Sequence, residues 1–213
     1  MSNLSNKSKQ AAILGMFGAI IFLLAFTPLG FIPLPFLRAT TIHIPVIIGS
    51  LILGPKLGAV LGLMFGLASI LTATLTPFPT SFVFSPLIPV PGTGSGSPFA
   101  VIVAIVPRVL VGVFPWYAFA GLRKLLGGKL DIISAAVAGV VGSLTNTIFV
   151  MHFIFFIFAE PWAYARNETA DFLYGAILAI IAANGVPEAV VAAILVSAIT
   201  AALMKAGISA KDS

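Results

Sequence analysis

The chain has 213 residues, of which 60% are hydrophobic and 8% charged, with a mean hydropathy of +1.16. A soluble domain carries about 25% charged residues, so a water-covered surface is excluded and the lipid bilayer must solvate most of the chain. The net charge of +5 is scattered over helix ends, which excludes a nucleic-acid footprint, and the lack of cysteine excludes disulfides and thiolate chemistry.

Hydrophobic runs separated by proline, glycine and charge predict an all-α integral membrane protein with six transmembrane helices. The first runs from about Gln10 to Phe26. Lys7 and Lys9 precede it as in a secretory signal, but no small-x-small cleavage site follows, so a retained helix is expected. The second helix is short, about Ala39 to Leu53, and ends at Leu53-Gly54-Pro55-Lys56. The third spans about Leu57 to Leu75, followed by an uncharged loop from Thr76 to Pro98. The prolines and phenylalanines of that loop predict a semi-rigid apolar cap hinged at Gly92-Thr93-Gly94-Ser95-Gly96, with a simple tethered hairpin as the alternative.

The fourth helix covers about Phe99 to Ala120 and the fifth about Ile132 to Phe158. Phe172 to Ala183 is apolar but too short to span, which predicts a short interfacial or re-entrant helix. The sixth helix is expected from near Pro187, a favourable first-turn residue, to near Lys205. The whole reads as one domain, 1–213, with capping loops at about 27–40 and 76–98.

An even number of helices puts both termini on one side. That side would hold Lys7, Lys9, Lys56, Arg123, Lys124, Lys129, Lys205 and Lys211, against Arg38 and Arg166 on the other. The bias predicts cytoplasmic termini in the plasma membrane.

Arg108 is the exception, because it lies inside the fourth apolar run. An arginine at the centre of a bilayer costs about 2.5–3.5 kcal/mol on insertion scales, so it is expected to face a partner, water or an anion. The expected helix ends put Arg108 roughly 14 Å from the outer face. Asn146, His43, Asn184 and Glu188 fall in the same outer half, so a site open to the outside is expected. Simpler roles remain for each: an Arg108–Glu188 ion pair, an interhelical bond for Asn146, a turn at Asn184-Gly185, and satisfied interfacial groups for His43 and His152. Pro107 has no N–H and leaves the carbonyl of Val103 without its helical donor. Trp116, Tyr117, Trp162 and Tyr164 read as interfacial belt residues.

On the first helix Ala11, Gly15 and Ala19 repeat every four residues. Such a face admits another helix closely, either within the chain or from a separate subunit. No phosphate-binding glycine loop, H-E-x-x-H or G-x-S-x-G occurs, so ATP-driven uptake would need another chain as its engine.

Three stretches carry a resemblance: Leu53-Gly54-Pro55-Lys56-Leu57-Gly58-Ala59, Val106-Pro107-Arg108-Val109-Leu110-Val111-Gly112 and Asn184-Gly185-Val186-Pro187-Glu188-Ala189. In this order the chain resembles the substrate-binding S components of energy-coupling factor vitamin transporters. Thr40-Thr41-Ile42-His43-Ile44-Pro45 and Pro79-Thr80-Ser81-Phe82-Val83-Phe84-Ser85-Pro86 look most like the pantothenate-type branch.

The resemblance implies a six-helix subunit that binds a vitamin near the outer face beneath its two outer loops, with no cofactor. It implies docking to a membrane-embedded T component carried by two ATPase subunits, through Ala11, Gly15 and Ala19. Delivery would occur by toppling of the subunit. For pantothenate, Arg108 would pair with the carboxylate and Asn146 and Asn184 would bond amide or hydroxyl groups. Phe82, Phe84 and Phe149 would bury the gem-dimethyl portion, and Arg38 is a second candidate for the anion. Another vitamin such as folate or riboflavin, or a stand-alone proton-coupled carrier using His43, His152 and Glu188, are the competing readings. A membrane enzyme relying on Glu188 and a histidine is a third.

Overall fold

The computed structural model describes residues 2–33, 38–127, 131–165 and 173–208. Five helical runs are long and apolar enough to cross a membrane: Lys7–Ala25, Pro55–Leu75, Phe99–Leu125, Asp131–Ala165 and Leu173–Lys205. They comprise α1 (Ser2–Ala25), α3 (Pro55–Leu75), α4 (Phe99–Leu125), α5 (Asp131–Ala165), and α6 (Leu173–Ile180) joined to α7 (Val186–Lys205). The remaining expected helix, the second, is α2 (His43–Leu53), with 11 residues and a length of about 16 Å, half a hydrocarbon core.

α2 starts later than expected because the preceding residues form a strand. β1 (Phe31–Pro33) and β2 (Arg38–Thr40) pair antiparallel, with Phe31 opposite Thr40. Thr40 and Thr41 are β-branched, which suits extended backbone. Pro45 is tolerated in the first turn of α2, where its missing N–H has no helical acceptor. The far end of α2 is equally well defined. Gly54 alone joins α2 to α3 with φ +87°, a conformation that favours glycine, and Pro55 opens α3.

α3 has two unlike faces. Leu63, Leu67 and Leu71 are exposed and form an outer, lipid-suited stripe. Gly58, Gly62 and Gly66 are buried against the α4 backbone at Gly112, Arg108 and Ala104–Ile105. A side chain at Gly58 or Gly62 would collide with the carbonyls of Gly112 or Arg108, so this seam requires glycine. Ser50 of α2 donates to the Gly112 carbonyl at 2.6 Å, tying a third helix to the same point.

Two apolar clusters flank the site. One gathers Phe17, Ile21, Ile47, Leu51, Leu61 and Phe65 from α1 to α3, with contributions from the later helices. The other gathers Phe82 and Val83 of the 76–98 loop with Ile154, Phe158, Trp162, Leu173 and Ile177.

Three expectations are corrected. Phe172 to Ala183 was expected as a separate flat or re-entrant piece. From Leu173 onward, α6 instead continues through a π-helical turn, Ile181–Gly185, into α7. Pro187 does not break this run, because the widened turn just before it gives room for the ring and the missing donor. The fifth helix continues to Ala165 across a kink at Phe158 (φ −129°, ψ 26°), three residues before Pro161. Finally, Trp116 and Trp162 are buried, Trp162 within the second cluster. Only Tyr117 and Tyr164 of the proposed aromatic belt are exposed.

Candidate functional site

A cavity of about 320 Å³ opens among α1, β2, α3, the 76–98 loop, α4 and α5. Its wall includes Ala25, Ile42, Phe65 and Phe84 as apolar surface, and Thr40, Ser69, Thr72, Thr76, Thr80 and Ser81 as hydroxyl-bearing surface. Arg108 and Asn146 are its strongest polar groups.

Arg108 is 7% exposed, and the seam with Gly62 brings its backbone close to α3. Nη1 donates to the carbonyl of Val103 at 2.8 Å. That carbonyl is the one left without a helical donor by Pro107. The proline therefore creates the acceptor on which the next residue's guanidinium rests. The guanidinium carbon lies 4.9 Å from the centre of the Phe84 ring and 5.5 Å from that of Phe65. Both ring faces attract the cation. Nε is buried and has no hydrogen-bond partner. Among the described residues Arg108 forms no ion pair; the pair recorded is Arg123–Asp131, 2.9 Å, at the α4–α5 turn. The expected alternative, neutralisation by Glu188, is not what the structure contains.

Asn146 likewise lines the cavity with a buried, unpartnered Oδ1. Ser69 and Thr72 donate their hydroxyl protons back to the carbonyls of Phe65 and Ala68, at 3.1 and 2.6 Å. Toward the cavity they therefore present acceptor lone pairs. The site thus sets a cationic donor on α4 against acceptors on α3. It is suited to an anionic molecule that also carries N–H or O–H groups.

The remaining expected residues are distributed around this core. Phe82 is fully buried behind the wall, edge-on to Phe158 at 5.8 Å. Phe149 packs between Phe114 and Phe153, at 6.2 and 6.3 Å, and not on the wall. His43 is 1% exposed, with both ring nitrogens unpartnered, and Asn184 has a buried, unpartnered Oδ1; neither is on the wall. Glu188, also off the wall, accepts from the Thr40 backbone N–H at 2.9 Å and from the Thr147 hydroxyl at 3.2 Å. His152 is held by the Ile148 carbonyl at 2.8 Å and lies tilted against Phe156 and edge-on to Tyr174. The Arg38 side chain lies outside the described residues.

Sequence reasoning missed the α3 wall. Phe65, Ser69, Thr72 and Thr76 recur at helical spacing on one face, which was the available signal. On α1, Ala11, Gly15 and Ala19 are exposed, and a side chain at Gly15 would meet open space. Internal packing of α1 uses Phe17, Gly18, Ile21 and Ala25 instead.

A family model described as "ECF transporter, substrate-specific component" matches residues 9–200. The pantothenic acid transporter PanT of Lactococcus lactis subsp. cremoris (strain MG1363) is 40% identical over 203 residues, covering 94% of this chain and 96% of that protein. The chain belongs to the substrate-specific components of ECF transporters, as a multi-pass plasma-membrane transport subunit and not an enzyme.

Proposed function

We propose that the chain captures pantothenate from outside the cell and hands it to an ATP-driven complex. The observation that carries this reading is a buried arginine on the wall of a small cavity that, among the described residues, has no anionic partner. The likeness to a pantothenic acid transporter supplies the ligand. Arg108 takes the carboxylate through the edge that Val103 leaves free, a charge-assisted contact. Asn146 bonds the amide or a hydroxyl, and Ser69 and Thr72 accept from the ligand's O–H or N–H groups. Phe84 and Phe65 provide the apolar surface for the gem-dimethyl carbon. A cavity of about 320 Å³ lies at the small end of ligand pockets, ~300–1,000 Å³. This favours a compact vitamin over an extended one such as folate.

In this proposal the termini are cytoplasmic, the 27–40 and 76–98 segments cover the site, and a T component docks on the Ala11–Gly15–Ala19 face. Two ATPase subunits beneath it supply the energy, and the subunit delivers its ligand by toppling.

Binding of purified protein to a panel of vitamins tests the ligand. Pantothenate should bind and Arg108→Ala should abolish binding with the fold retained. Folate or riboflavin binding in place of pantothenate would overturn the assignment.

A further inference from the structure

Glu188 is a carboxylate in the first turn of α7, 7% exposed, with no cationic partner among the described residues. Its two oxygens are used on two different elements. Oε1 accepts the backbone N–H of Thr40 on β2, and Oε2 accepts the hydroxyl of Thr147 on α5. Thr40 and Ile42 both line the cavity, as does Asn146, the neighbour of Thr147. The carboxylate therefore stands just behind the cavity wall and joins the hairpin to two helices.

The other hydrogen bonds of this region are local, including that from the Ile44 N–H of α2 to the Thr41 carbonyl at 3.0 Å and that from the Thr27 hydroxyl to the Leu23 carbonyl of α1 at 2.7 Å. Thr41 N–H donates to the Gly30 carbonyl at 2.9 Å and the Thr41 hydroxyl to the Leu29 carbonyl at 3.2 Å. These fix the shape of the hairpin's base but not its position against the helices. Among the described residues, the Thr40–Glu188 contact is the hydrogen bond from the hairpin strands to the later helices. A buried strand-edge N–H needs an acceptor, and a carboxylate is a strong one.

We propose that Glu188 is a positioning residue that latches β2 against α5 and α7 and thereby sets how slowly a ligand leaves. The ligand half of this statement rests on the reading of the cavity given above; the latch itself does not. Removing the carboxylate frees Thr40 and lets the hairpin lift from the wall. Escape accelerates, while entry, which already requires an open hairpin, changes little.

The test pairs two measurements on the full-length protein. Hydrogen exchange across residues 27–44, with no ligand present, reads the latch; pantothenate association and dissociation rates read its consequence. Glu188→Ala should speed exchange and raise the dissociation rate by roughly tenfold or more, the scale of losing a hydrogen bond to a charged acceptor. Glu188→Gln should remain near wild type, because its carbonyl still accepts from Thr40 and its amide can donate to the Thr147 hydroxyl. Unchanged exchange in Glu188→Ala overturns the proposal. So does a Gln variant that behaves like Ala, since the charge and not the tether would then matter. If Glu188→Ala does not fold, Glu188→Asp carries the test, because the shorter side chain keeps the charge but withdraws the acceptor from the Thr40 N–H: faster exchange is expected, and wild-type exchange overturns the latch. Faster exchange in a protein whose wild type ignores pantothenate upholds the latch and sinks the ligand assignment.

Discussion

At the residue scale the geometry of Arg108 makes a sharp demand on substitution. Its fork is turned by Val103 and flanked by Phe65 and Phe84, so charge alone does not reproduce it. Arg108→Lys should weaken pantothenate binding about 10- to 100-fold, as expected for losing ~1.5–3 kcal/mol of charged hydrogen bonding, with thermal stability near wild type. Calorimetric titration and a melting curve check both halves; binding equal to wild type would remove the fork from the account. Arg108 stood out in the sequence because a charge in an apolar run has few explanations. The Val103 acceptor was half legible, since Pro107 announces a free carbonyl but not what fills it. Ser69 and Thr72 were silent because hydroxyls in membrane helices commonly bond their own backbone, whichever way they face. Glu188 was visible as a buried acid, yet its donors, a backbone N–H 148 positions away and a hydroxyl on α5, depend on tertiary contacts that no local pattern encodes.

At the element scale, two glycines in similar small-residue repeats should behave oppositely. Gly62 faces the Arg108 carbonyl, whereas Gly15 faces open space. Gly62→Leu must push α3 from α4, and forced overpacking costs about 1–3 kcal/mol where side chains can give way. The neighbour here is backbone, so a lower melting temperature and lost binding are expected. Gly15→Leu should leave both unchanged in the isolated subunit and impair uptake by the assembled transporter. Normal uptake in that variant would clear α1 of the docking role. Helix identity was readable from hydropathy, and so were the ends at Leu53, Leu75, Phe99 and Lys205; the onset of α2 and the far ends of α4 and α5 were not. Pro187 stands in the first turn of α7 as expected, but the π turn that joins α7 to α6 leaves no trace in composition. The onset of α2 was misjudged because an apolar stretch of β-branched residues serves a strand or a helix equally well.

At the scale of the whole molecule, five long helices and one half-length helix bring the cavity between two apolar clusters. The count was legible from hydrophobic runs; the half-length of α2 and its hairpin were not, because they depend on contacts with α5 and α7. The chain lacks cysteine, so single reporters are clean. Ser8→Cys should resist an impermeant maleimide in intact cells, and Thr93→Cys, exposed on the 76–98 loop, should react. The reverse pattern would invert the proposed orientation.

The resting place of Arg108 also bears on the electrical side of the cycle. A carbonyl and two aromatic rings hold the guanidinium, with no carboxylate against it among the described residues. A subunit that turns in the membrane would carry an anionic cargo inward with that positive charge compensated. The buried Glu188 carboxylate would turn with the same subunit, so the charge moved by a full cycle is that of the cargo. Bringing one anion inward works against an inside-negative voltage worth about 2.3 kcal/mol per elementary charge per 100 mV for a full crossing, and that burden would fall on ATP hydrolysis by the partner subunits.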